Sequence, residues 1–142
     1  MRKSILFFVF AFISISVFLI SCKKETDTKI ITQPFDSTGF TLLFTRDFVS
    51  DAHPTTGQVL IYSKADSIVY EFKNFKTDDG PNLDVWLVND IDNVVSGGYL
   101  DLGDLKGIEG NFYYRTKNTA SYSFLVVWCT DFSVKFGHVF TI

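Results

Sequence analysis

From Thr38 to Ile142 the apolar residues fall in short runs, rich in β-branched and aromatic side chains, with turn residues between them at intervals close to ten. That rhythm is the signature of an all-β domain. It predicts strands at Thr41 to Phe44, Gln58 to Ser63, Ser67 to Phe72, Leu83 to Val88, Tyr99 to Leu102, Asn111 to Arg115, Tyr122 to Cys129 and Ser133 to Ile142. No stretch of the domain sustains a helical stripe. In Ser67 to Phe72 the apolar Ile68, Tyr70 and Phe72 alternate with Ser67, Val69 and Glu71, the pattern of a half-buried antiparallel strand. Phe124 to Trp128 is apolar on both faces, which predicts a central strand covered on both sides. Asp78-Asp79-Gly80-Pro81-Asn82, Ser96-Gly97-Gly98 and Leu105 to Gly110 supply the breaks, through glycine's freedom at positive φ and a proline that ends strand pairing. The expected fold is a compact antiparallel β-sandwich of about seven to eight strands, over residues 38–142, with no internal repeat and no second domain.

The first twenty residues follow a different pattern. Arg2 and Lys3 precede an almost wholly apolar run from Ile5 to Ile20, as in a signal peptide. As a helix that run reaches only about 24 Å, short of the roughly 30 Å hydrocarbon core, so a spanning anchor is the weaker reading. Leu19-Ile20-Ser21-Cys22 then resembles the lipobox of bacterial lipoproteins. The resemblance implies cleavage after residue 21, with acylation of Cys22 at its thiol and new amine. Each buried methylene contributes about 0.8 kcal/mol, so two or more acyl chains anchor stably where one does not. Residues 1–21 are therefore expected as a lipoprotein signal peptide and residues 22–37, polar and containing Pro34, as a flexible tether. Sixteen such residues span roughly 20 to 24 Å root-mean-square. The expected location is the cell envelope, with the domain outside the cytoplasm, lipid-anchored to a membrane; the outer membrane is the first choice.

Charge narrows the partners. The whole chain carries a formal −3 at pH 7, and losing Arg2 and Lys3 leaves the mature chain more negative still. With no basic cluster beyond Lys23-Lys24, nucleic-acid binding is not expected. The expected partners are the membrane, through lipid on Cys22, and a redox or other protein of the envelope. With Cys22 given to lipid, Cys129 is the one remaining thiol, so no disulfide framework exists.

An order of motifs along the domain resembles the DM13 domain, a small all-β module of cell-envelope and cell-surface proteins. It comprises His53 and Gly57 before a strand, then Phe75, Gly80-Pro81-Asn82-Leu83 and Val85-Trp86-Leu87. Leu102-Gly103-Asp104-Leu105-Lys106-Gly107 follows, with Gly110 and Tyr114, then Val126-Val127-Trp128-Cys129, Phe132-Ser133-Val134 and Phe136-Gly137. These motifs cover about residues 40 to 140. The family usually has aspartate after Gly-Pro; this chain has Asn82, which keeps the turn-forming role because Asn and Asp cap turns alike. The resemblance implies electron transfer or redox chemistry centred on the single cysteine, as a bare thiol or as ligand to a group such as haem. Here that residue is Cys129, with His53 as its candidate neighbour.

Competing readings stand beside each candidate. Free cysteine is among the most buried residue types, so Cys129 is also read as core packing, while its place at a strand end argues for access and a functional thiol. Haem held by Cys129 alone is one cofactor reading, without the Cys-x-x-Cys-His of covalent attachment. Copper held by Cys129 with His53 and His138 is another, lacking a methionine axial ligand in the mature chain. No dedicated metal site is expected. Asp78 to Asp84 lacks the acid spacing of a calcium loop and reads as a solvated turn. No Ser/His/Asp order or carboxylate pair supports hydrolysis. The alternative function is a non-catalytic binding or structural module of the envelope.

Overall fold

The computed structural model describes residues 30–117 and 121–142. The segment expected as a signal peptide and the expected lipidation site Cys22 lie outside the described residues. Among the described residues ten strands form: β1 (Ile31–Thr32), β2 (Thr41–Asp47), β3 (Val49–Ser50), β4 (Thr56–Lys64), β5 (Ser67–Lys76), β6 (Leu83–Val88), β7 (Tyr99–Asp104), β8 (Glu109–Lys117), β9 (Phe124–Cys129) and β10 (Val134–Phe140). They build two five-stranded sheets, ordered β1-β8-β5-β4-β2 and β3-β10-β9-β6-β7. All pairings are antiparallel except that of β1 with β8. No helix long and apolar enough to cross a membrane occurs among the described residues.

The all-β sandwich is as expected, and all eight expected strands are present, with β1 and β3 in addition. The two additions, β1 and β3, are two-residue pairings too short to carry a period. β1 falls within residues 22–37, the segment expected as a tether. Ile31 and Thr32 pair with Gly110 and Asn111, and Gly110, at φ +134°, leaves no room for a Cβ against the Ile31 backbone. Further on, Phe35 packs its ring on Phe40, Tyr62 and Tyr113, covering a portion of the outer face of the first sheet. Tyr62 and its cross-strand partner Val69 are buried there, although alternation assigns Val69 to the exposed face.

Between the sheets lies the main core, built from inward residues of β4, β5, β6, β8, β9 and β10: Val59, Ile61, Tyr70, Phe72, Phe112, Val85, Leu87, Leu125, Val127 and Val139, with Phe44 of β2 and Leu100 and Leu102 of β7 packed against it. β9 is buried on both sides, as its continuous apolar run predicts. Leu125, Val127 and Cys129 face the main core, while Val126 and Trp128 join Trp86, Val88 and Val94 in a second cluster on the outer face. The loop between β6 and β7 closes that cluster by placing Val94 on it, and it is pinned where Asp90 Oδ1 accepts from the backbone N–H groups of Asp92 and Asn93 at 3.0 and 3.1 Å.

Strand directions sort the connections into two ends. The segments 51–55, 77–82, 105–108 and 130–133 all lie at one end, with the entry of the chain at Ile31. The 64–66 hairpin and residues 121–123 ahead of β9 lie at the other.

Candidate functional site

Cys129 is the last residue of β9 and so belongs to the first of these ends. It pairs with Leu83 on β6 and Val134 on β10. Its side chain is fully buried in the main core, and Sγ donates to the carbonyl of Pro81 at 3.1 Å. The sequence expectation of access at a strand end is therefore corrected. The strand ends there, but the segment from β5 to β6 crosses directly over it.

That covering turn is tightly specified. Asn82 sits at φ +46°, a conformation Asn tolerates better than most residues. Its carbonyl accepts from Thr130 N at 3.1 Å and Thr130 Oγ1 at 3.1 Å, and its side-chain amide donates to Asp131. The residue that departs from the family pattern thus ties the 77–82 segment to the β9–β10 turn. Gly80 lies so close to Phe136 that an added Cβ would stand 2.7 Å from its ring.

His53 belongs to the same end without a hydrogen bond to Cys129. Its ring stacks on Phe136 at 3.8 Å between centroids, and Nδ1 lies 3.0 Å from Asp78 Oδ2. Phe136 and the Gly80-Pro81 turn connect histidine and thiol. Below them, Thr55 Oγ1 bonds Thr77 Oγ1 at 2.9 Å and donates to Phe136 O at 3.1 Å, a buried polar knot that holds both segments to β10. His138 lies elsewhere: its Nδ1 is 2.7 Å from Asp51 Oδ2, with Lys135 Nζ 3.6 Å from the same carboxylate.

Two clefts flank the covering turn. One, of about 560 Å³, is bounded by His53, Asp79, Gly80, Pro81, Phe132, Val134 and Phe136, and is largely apolar. The other, of about 420 Å³, is acidic, with Asp79, Asp84 and Asp104 on its walls beside Asn82 and Thr130. Burial, followed by the charges of Asp101 and Asp104, raises the Asp84 carboxyl above its ordinary 3.8. An acid whose pKa is raised by folding binds its proton more tightly in the folded state, so stability falls as pH rises through the interval above 3.8. Asp84→Asn is therefore expected to stabilise the domain at neutral pH, by under about 1 kcal/mol because the carboxyl is mostly solvated. Urea unfolding at several pH values checks this, and a flatter profile above pH 3.8 is the expected signature.

The arrangement does not fit a haem or copper bound at Cys129. The thiol borders neither cleft and is already hydrogen-bonded, and each histidine has Nδ1 on a carboxylate. No group of three or more His, Cys, Asp or Glu side chains able to hold a metal ion occurs among the described residues. What the arrangement can do is shelter one thiol behind one short segment.

Sequence reasoning singled out Cys129 and His53 but missed the groups that govern them: Pro81 as cover, Asp78 as the histidine's partner, and Phe136 between. Gly80-Pro81 was the available signal, because a glycine next to a proline in a strand crossover marks close backbone approach. Nothing in local sequence pairs Asp51 with His138, which are 87 positions apart.

Fold and site together define a small β-sandwich module with a single enclosed thiol under a Gly-Pro turn. Residues 47–141 match the family described as electron transfer DM13, and the chain belongs to that family. No curated protein and no solved structure matches the chain.

Proposed function

We propose that this protein is a lipid-anchored accessory domain of the cell envelope, tethered through Cys22, in which Cys129 is the redox-active group. The observation that carries the reading is the cover on the thiol. One hydrogen bond, from Sγ to Pro81 O, and one six-residue crossover separate Cys129 from two solvent-facing clefts. Displacing that crossover exposes the sulfur while leaving both sheets intact. With no second cysteine in the domain, the chemistry is thiol–disulfide exchange with an envelope protein that carries a disulfide. Cys129 loses its proton to water and its thiolate attacks one partner sulfur. A new S–S bond forms, the partner's S–S bond breaks, and the other partner sulfur leaves as thiolate. One disulfide is consumed and one is made, so the oxidation is held in a mixed disulfide shared by Cys129 and the attacked partner sulfur, and a second thiol of that partner releases Cys129 by attacking it.

The decisive measurement is the alkylation rate of Cys129 in the soluble chain from residue 23 onward. If the crossover opens locally, labelling proceeds in the folded state at a rate almost independent of low urea. If labelling instead climbs with urea along the global unfolding slope, Cys129 is a core residue and the redox reading fails. Complete burial favours a second reading in that case, a binding module that uses its sheet faces or clefts and leaves the thiol as packing. The anchor has its own test: Cys22→Ala should abolish palmitate labelling and leave an uncleaved precursor, and normal labelling of the variant would refute lipidation there.

A further inference from the structure

We infer that the end of the sandwich carrying Cys129 rests against the bilayer, with Phe132 seated in the lipid interface; this depends on the acylation of Cys22 proposed above. The first support is reach. Eight steps separate Cys22 from Ile30 and, however the chain runs, they extend no further than about 29 Å. Ile31 pairs with Gly110 near the start of β8, beside the 105–108 segment, so the tether meets the domain at the end that holds the covering turn and both clefts. The opposite end lies a full strand away. At about 3.3 Å per residue the ten residues of β5 alone measure about 33 Å, more than the chain from Cys22 can span. The far end, with exposed Leu43, Phe140 and Ile142, therefore cannot be the face on which the domain stands.

The second support is what the near end displays. Phe132 is 70% exposed at the tip of the β9–β10 turn and forms one wall of the apolar cleft with Pro81, Val134 and Phe136. Ile30, 63% exposed, marks the chain's entry at the same end. Aromatic side chains on short turns partition well into the headgroup boundary, where an apolar body is buried and the backbone stays wet. Asp79 borders the same cleft and Asp131 precedes Phe132, so an uncharged, zwitterionic interface fits better than an anionic one. In this orientation, whatever exchanges with Cys129 must meet it at the membrane surface.

The test uses the full acylated chain in phosphatidylcholine vesicles with brominated acyl chains, which quench tryptophan on contact. Phe132→Trp and Phe140→Trp place reporters at the near and far ends, both at exposed positions, and the unsubstituted chain supplies the background of the buried Trp86 and Trp128. Phe132→Trp is expected to lose at least half of its added emission, and Phe140→Trp none. A chain that floats with the vesicles while both reporters stay unquenched would overturn this orientation and leave lipidation standing. A chain that does not float overturns lipidation, and the orientation with it.

Discussion

Phe72→Ala is expected to destabilise the domain by about 3 to 5 kcal/mol, which leaves only about 0 to 2 kcal/mol where the total lies near the low end of the usual range of about 5 to 15 kcal/mol. Phe72 is fully buried and central to the aromatic region of the core. Its ring lies 4.9 Å from Phe112, 5.2 Å from Phe75, 5.4 Å from Phe48 and 5.5 Å from Tyr114. The truncation removes both transfer energy and edge-to-face contacts, and so many rigid rings around one void cannot collapse to fill it. The urea midpoint of the chain from residue 23 onward measures the loss, and a drop of less than about 1 kcal/mol would mean that the two sheets do not share the continuous core described.

Ring placement of this kind was only half legible in the sequence. Strand periodicity found Ile68, Tyr70 and Phe72 on one face, and the unbroken apolar run correctly marked β9 as central, because both signals depend on neighbours one or two positions apart. Burial of Val69 was not legible. Its cross-strand partner Tyr62 is buried on the same face and carries the Phe35 ring, a contact made across more than twenty residues. β1 escaped notice for the same reason: a two-residue strand is defined by its partner, here Gly110, and not by its own composition. At the site, counting cysteines isolated Cys129 and the family motif added His53, but neither could show that the thiol points inward. Side-chain direction at a strand's last residue is set by register with Leu83 and Val134 on flanking strands. The cover over it is a tertiary contact between positions 81 and 129.

That cover carries the second large expectation. Gly80→Ala should speed alkylation of Cys129 in the folded protein by about 5- to 150-fold, the equivalent of the about 1 to 3 kcal/mol that overpacking a tight contact costs. The added methyl would stand 2.7 Å from the Phe136 ring and 3.2 Å from Leu83 Cδ2, and neither neighbour gives way freely. Phe136 is stacked against the His53 ring, which is itself tied to Asp78, and Leu83 is paired with Cys129 in the ladder. The strain therefore falls on the crossover, which has no ladder of its own, and lifts the Pro81 carbonyl from Sγ. Backbone conformation adds nothing here, since Gly80, unlike Gly110, is not held at positive φ. The comparison that isolates the effect is Gly103→Ala, on the edge strand β7, where no atom lies within 4 Å of the added carbon but φ is +105°. Both substitutions lower global stability, the first through crowding and the second through backbone strain. Only the first should raise the urea-independent component of the labelling rate. Equal acceleration by the two would mean that Cys129 is reached by general loosening of the sandwich, and that the Gly80-Pro81-Asn82 turn is not its gate.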